Sequence, residues 1–228
     1  MSNLTIKERV MRISLLHTMD GNRRVFEDAA IDLGLKVDNL RHEVRSDLRE
    51  AVQHAGTFSA DLRAQMNRCL LDLAADSDAV ILTCATLGPA VEEIESSPIP
   101  IVRADVALAV AAGKFGGKIV VLCAVESVIE PTRRLFAQHA SDGAASVDVI
   151  HVAQAWELFR KGDFDECFAA IAASADQAYE AGATQVAFGH PWMAPAANLS
   201  RNGNRPLDSA HVALRTVLQQ INGPSVIN

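Results

Sequence analysis

Cys84 and His190 are the residues of this 228-residue chain with the clearest capacity for chemistry, because each follows a short apolar run and each opens a turn. Cys84 ends the run VILT and is followed by Ala85, Thr86 and a stretch carrying Glu92 and Glu93. A helix starting there would turn its free N–H groups and its positive dipole end toward the sulfur. That setting favours the thiolate and makes Cys84 a candidate base or nucleophile. His190 follows VAFG and precedes Pro191, Trp192, Met193 and Pro195, a bulky, stiff turn. An imidazole at such a place accepts a proton near neutral pH, and its imidazolium returns one. His17, Thr18 and Asp20 end the first apolar run and are expected to reach the same region, with His17 a candidate carboxylate partner. Ser127, next to Glu126, offers a hydroxyl after the corresponding run of the second half. Cys69, Cys123 and Cys167 read as small buried hydrophobes.

The two reactive positions are related by the sequence itself. At an offset of 106 residues, Ala55 to Leu108 lies over Lys161 to Leu214 without a gap. Twelve of these 54 pairs are identical, against roughly three or four by chance on ordinary composition. Gly56 meets Gly162, Phe58 meets Phe164, Pro89 meets Pro195, and PIVRADVAL meets PLDSAHVAL; Cys84 then lies over His190. An internal duplication accounts for this. A second pairing, RRVF at Arg23 with RRLF at Arg133 and Val37-Asp38 with Val147-Asp148, runs at an offset of 110 and implies a loop difference of four residues.

Short Val- and Ile-rich runs alternate with helical patterns, which predicts parallel α/β structure. Strands are expected at Val10 to Leu16, Lys36 to Leu40, Ala79 to Thr83 and Ile99 to Val102, then at Lys118 to Leu122, Val147 to Val152, Thr184 to Phe188 and weakly near Pro206. Leu62, Met66, Cys69, Leu70 and Leu73 form an apolar stripe at helical spacing, matched by Phe164, Cys167, Phe168, Ile171 and Ala175. A closing helix carries Leu214, Val217, Leu218 and Ile221, with Asp208 or Ser209 as its cap. The expected organisation is two pseudo-symmetric α/β lobes, each a short, mainly parallel sheet flanked by helices, with a cleft between them. Residues 1–113 form the first lobe, 114–207 the second, and 208–228 the closing helix, which packs on the first lobe; Gly113 to Gly117 is the hinge.

Composition narrows the partners. A formal charge of −7, with acidic and basic residues interspersed, argues against nucleic acid or an anionic membrane and leaves a small molecule. Four cysteines show neither a CxxC pair nor metal-ligand spacing, so neither a disulfide framework nor a metal site is expected. The start MSNLTIKERV lacks an apolar signal core, and no apolar run approaches about 18 residues, so a cytoplasmic protein is expected.

Duplicated α/β halves, the C-x-T of Cys84 to Thr86 after a buried strand, and the matching strand-end loop near Gly189 resemble the aspartate/glutamate/hydantoin racemase superfamily. The resemblance implies a cofactor-independent enzyme, a homodimer, whose lobes clamp a small carboxylate at their pseudo-twofold interface. Members of the family place one cysteine from each lobe on opposite faces of the substrate. Cys84 matches the first, Thr86 matches the threonine of the motif, and Ser127 falls where the family often has threonine. Thr83, Ala85 and Pro191 are expected to line the substrate beside them. His190 stands in place of the second cysteine, which leaves three mechanisms open. Cys84 and His190 act as an unsymmetrical acid/base pair at an α-carbon; or Cys84 alone serves decarboxylation or cis–trans isomerisation of a small dicarboxylate; or the site only binds a small acid.

Overall fold

The computed structural model describes residues 11–140, 145–201 and 204–223. In the first half, strands β1 (Ile13–His17), β2 (Leu40–Val44), β3 (Ala79–Leu82) and β4 (Ile101–Arg103) form a parallel sheet in the order β2-β1-β3-β4. In the second, β5 (Lys118–Cys123), β6 (Ser146–His151), β7 (Gln185–Phe188) and β8 (Leu207–Asp208) form a parallel sheet in the order β6-β5-β7-β8. The two orders are the same, and the offset of 106 carries β3 onto β7 residue for residue. The protein is therefore an α/β fold of two four-stranded parallel sheets flanked by helices.

The alternation of side chains along each strand divides the core into three. Ile13, Leu15, Ala79 and Ile81 of the first sheet, with Ile119, Val121 and Ala187 of the second, face one shared core that also contains Phe26 and Phe136. Leu16, Val80 and Leu82 turn the other way, onto Met66, Leu70 and Leu73 of helix α3 (Ala60–Ala75) and onto Leu48 and Val52 of α2 (Ser46–Ala55). Val120, Leu122, Val186 and Phe188 face Cys167, Ile171 and Ala175 of α7 (Phe164–Glu180) and Ala155 of α6 (Ala153–Lys161). Each buried Leu, Ile or Phe contributes about 1.5–3 kcal/mol relative to exposure, so the shared core joins the halves strongly. The aligned pair Gly56 and Gly162 acquires a reason as well. These residues end α2 and α6 at φ 67° and 84°, a left-handed conformation that glycine adopts without a Cβ penalty.

Four further helices complete the seam: α1 (Asn22–Asp32), α4 (Ala104–Gly113), α5 (Ile129–His139) and α8 (Ser209–Ile221). Helix α4 packs on α8 and α5 and reaches β7 and β8, while α8 packs on α1 and reaches β3 and β4. Each half thus lends its last helix to the other half's sheet. Asp208 caps α8, its carboxylate accepting the His211 N–H at 2.9 Å.

Several expected boundaries shift. The first strand starts at Ile13, and Val10 lies outside the described residues. The expected strand at Lys36 to Leu40 is instead a 3-10 turn, Val37–Asn39, followed by β2. Asn39 closes that turn by accepting the Lys36 N–H at 2.9 Å and donating to the Met11 carbonyl at 2.8 Å. Ile13 pairs with Leu40 and its repeat partner Ile119 pairs with Val147, so Val37 and Val147 are not equivalent in register and the offset of 110 fails there. Among the described residues no helix is long and apolar enough to cross a membrane.

Candidate active site

In parallel sheets the loops beyond the carboxyl ends of the strands carry ligands. The ends of β3 and β7 here open into a single cleft of about 300 Å³. Thr83, Cys84, Ala85, Thr86, Ser127, His190 and Pro191 all line it, as do Thr18 and Trp192. Cys84 and His190 hold the same place in their halves. Each has extended backbone (φ −114° and −125°) and each precedes 3-10 turns, Ala85–Glu93 and Pro191–Asn198. The helix expected after Cys84 is this 3-10 stretch, interrupted by Pro89. The N–H groups of its first turn still lack partners within the turn, and Ala85 and Thr86 line the cleft. Cys84 itself is 9% exposed, at the floor of the cleft.

His190 is defined by one hydrogen bond and one stack. The Ala124 backbone N–H donates to its Nε2 at 3.0 Å, so the ring proton sits on Nδ1. Its ring lies nearly parallel to Trp192, with centroids 5.5 Å apart. Burial pushes the imidazole down to about 4, which keeps it neutral near pH 7. A neutral ring with Nε2 occupied donates a hydrogen bond from Nδ1 and has no free lone pair with which to act as a base.

His17 does not line the cleft but lies fully buried beneath Thr83. The Thr83 hydroxyl donates to the Leu16 carbonyl at 3.1 Å and accepts from His17 Nδ1 at 2.9 Å. His17 Nε2 then accepts from His42 Nδ1 at 2.9 Å, and His42 Nε2 faces Glu27 at 3.7 Å. Burial, and after it the charges of His42 and Arg23, push His17 down to about 3. This directed chain fixes the residue preceding Cys84; it does not present an imidazole to a ligand. Asp20 also stays outside the cleft and pairs with Arg23 at 2.8 Å. Met193 is fully buried and faces no ligand space. Cys123 and Cys167 are buried as expected, but Cys69 is half-exposed and its sulfur accepts from Arg45 at 2.8 Å.

Among the cleft residues that escaped the sequence reading are Asn22, Arg49, Trp156 and Ser209, the last in its role as a wall residue. Asn22 Oδ1, Arg49 Nε and Ser209 Oγ are buried without a hydrogen-bond partner among the described residues. Buried polar groups are normally satisfied, so three such atoms around one cleft point to a ligand that completes them. Arg49 was hidden because a polar residue beside Leu48 on an amphipathic helix looks like solvated surface. Ser209 was hidden by its candidacy as a cap, a task that Asp208 performs. A larger groove of about 500 Å³ between α4, α5 and α8 contains none of these residues and none of the unpaired atoms. Among the described residues no cluster of three or more His, Cys, Asp or Glu side chains could hold a metal.

No family sequence model matches the chain, and no curated protein sequence does. Solved structures do match. An aspartate racemase homologue from Pyrococcus horikoshii superposes with a TM-score of 0.66 at 14% identity, over 93% of this chain and 99% of the other. Allantoin racemase from Klebsiella pneumoniae gives 0.64 at 14% identity, over 93% and 88%. Glutamate racemase from Bacillus anthracis gives 0.62 at 14% identity, over 96% and 85%. The chain therefore has the fold of the aspartate, glutamate and allantoin racemases, the superfamily its sequence resembles.

Proposed function

We propose that this protein is a cofactor-independent racemase- or epimerase-like enzyme that moves a proton at the α-carbon of an amino-acid-like or related small carboxylate. The observation that carries the reading is the placement of Cys84 and His190 at equivalent strand ends on one cleft between the halves. In this reaction the Cys84 thiolate takes the α-proton, an S–H bond forms, and the C–H electron pair moves into the carboxylate to give an enediolate. The free N–H groups after Cys84 and the Thr86 hydroxyl stabilise the developing oxyanion. Return of the proton from sulfur to the same face regenerates the starting acid and the thiolate and is read as α-proton exchange. Inversion follows when water on the opposite face supplies the proton and the hydroxide left behind takes the proton from the Cys84 thiol. His190 supports the enediolate as a neutral donor through Nδ1–H, and the Thr83–His17–His42 chain holds the Cys84 loop in place. A functional homodimer, as the family resemblance implies, belongs to the same proposal.

The hydrogen bond to His190 Nε2 also favours a second reading, in which Cys84 alone delivers the proton after loss of carbon dioxide or during cis–trans isomerisation of a small dicarboxylate. The test is proton NMR in heavy water with amino acids, aryl and alkyl carboxylic acids and substituted malonates. Exchange at an α-carbon that Cys84→Ser lowers by at least about a hundredfold supports the first reading. Release of carbon dioxide or isomerisation without α-exchange replaces it with the second, and Cys84→Ser turning over at the wild-type rate removes both.

A further inference from the structure

The cleft is chemically lopsided, and the repeat makes this plain. Helices α2 and α6 occupy equivalent places in the two halves, yet α2 supplies Arg49 and Gln53 to the cleft and α6 supplies Trp156. Around Trp156 the aromatic part of the wall continues through Trp192, which lies 6.0 Å from Trp156, 4.2 Å from Phe159 and 5.5 Å from His190 between ring centroids. Among the described residues, Arg49 is the only Lys or Arg in the wall, and the one wall carboxylate, Asp105, is already held by Arg103 at 2.8 Å. Arg49 Nε is buried without a partner among the described residues, and the same is true of Asn22 Oδ1 and Ser209 Oγ, whose side chains belong to residues 3% and 4% exposed.

Resting on the α-proton reading above, we infer that the substrate is a 2-aryl monocarboxylate bearing one hydrogen-bond donor: an arylglycine or a 2-aryl-2-hydroxy acid. Its carboxylate meets Arg49, its aryl ring lies against Trp156 and Trp192, and its amino or hydroxyl group donates to Asn22 Oδ1. A compact diacid such as aspartate would bring a second carboxylate against indole rings with no cation to meet it. A planar guanidinium binds a carboxylate through two parallel hydrogen bonds, and indole faces stack on aryl rings. The cleft volume, about 300 Å³, lies at the small end of ligand pockets and limits the ring system to one ring of ordinary size. The chemistry is consistent with a single thiol. An α-aryl group delocalises the negative charge left by proton removal, so a base without a second cysteine opposite it faces an easier carbon acid.

Calorimetric titration of the full chain with 2-phenylglycine, mandelate, mandelamide, aspartate and malonate tests the inference, with α-deuterium exchange followed in parallel. Mandelate and phenylglycine are expected to bind at least tenfold more tightly than aspartate or malonate. Mandelamide should lose on the order of tenfold relative to mandelate. Arg49→Gln should erase that difference, whereas Trp156→Leu should weaken mandelate roughly fivefold and leave the ratio of mandelate to mandelamide intact. Circular dichroism of both variants establishes that each is folded. Tighter binding of aspartate or malonate, or an unchanged mandelate preference in folded Arg49→Gln, overturns the inference; so does the absence of binding by any aryl acid. Aryl acids that bind with this pattern but show no α-exchange leave the ligand class standing and remove the α-proton reading. Exchange of aspartate without exchange of any aryl acid does the reverse.

Discussion

Acid should unfold this protein partly through His190, and the size of the effect follows from its surroundings. An unfolded histidine protonates near its ordinary value of 6.5, whereas burial holds the folded His190 at about 4. Above pH 6.5 both states are neutral and the group adds nothing to pH dependence. Between the two values the unfolded chain binds a proton that the folded chain refuses, so stability falls as the pH falls. Below about pH 4 the folded ring is protonated too and the loss is complete. The slope is ~1.4 kcal/mol per pH unit, and over the whole interval it sums to about 3 kcal/mol, a large share of the ~5–15 kcal/mol that holds a typical domain together. His190→Gln removes the titrating group while keeping an acceptor for the Ala124 N–H. Urea denaturation of both proteins should be followed at several values between pH 7.5 and 5. Above pH 6.5 the two stabilities should run parallel. Below it the wild type should lose ~1.4 kcal/mol more per pH unit than the variant, with His17 and the carboxylates cancelling in the comparison. Equal slopes would refute the neutral, amide-bonded His190, and with it the assignment of this ring as a hydrogen-bond donor.

Brief iodoacetamide treatment at neutral pH should label Cys84 and the half-exposed Cys69, while Cys123, pushed up to about 11 by burial, and Cys167 should resist. A bound aryl carboxylate should protect Cys84 and not Cys69, as peptide mapping would reveal; protection of Cys69 alone would place the ligand elsewhere. Gly189→Ala should cost about 1–3 kcal/mol in chemical denaturation, because its Cβ would lie 2.7 Å from Cys123 Sγ and 3.1 Å from the Leu122 carbonyl. A neutral result would mean that β5 and β7 separate easily at the cleft. Asp208→Ala should cost about 1–2 kcal/mol by freeing the His211 N–H at the start of α8. Since α8 covers β3, whose end bears Cys84, that variant should also slow proton exchange; unchanged exchange would show that the first sheet holds its loop without the helix.

The fold was legible because the duplication repeats each periodicity twice. A four-residue run such as AVIL is ambiguous alone, but its match to QVAF at the same offset, each followed by a turn, marks both as buried parallel strands. Edge strands gave the weakest pattern, since one face of β2 and β6 meets solvent and their apolar content thins out. That is why Val37-Asp38 was matched by residue type to Val147-Asp148. In the fold Val37-Asp38 lies in a turn set by the side-chain hydrogen bonds of Asn39, which no hydrophobic period records.

The site was legible to the depth of the strand ends and no further. Residues that follow β3 and β7 in the chain, from Thr83 to Thr86 and at His190 and Pro191, reach the cleft because a parallel strand delivers whatever comes next to the same edge. His17 obeys the same rule but ends one layer lower, because its ring finds His42 on the neighbouring strand and the Thr83 hydroxyl above it. Arg49, Trp156 and Asn22 arrive from helices, where the choice between cleft and solvent depends on packing angles rather than on sequence spacing. The role of His190 turned on a contact of this kind, the Ala124 N–H, whose nearness follows from the pairing of β5 with β7. Residue type alone permits a base, an acid or a donor at that position. A backbone amide 3.0 Å from Nε2 selects the donor, and under the proposed proton transfer a site with one thiol and one neutral donor calls for a substrate whose own structure stabilises the carbanion.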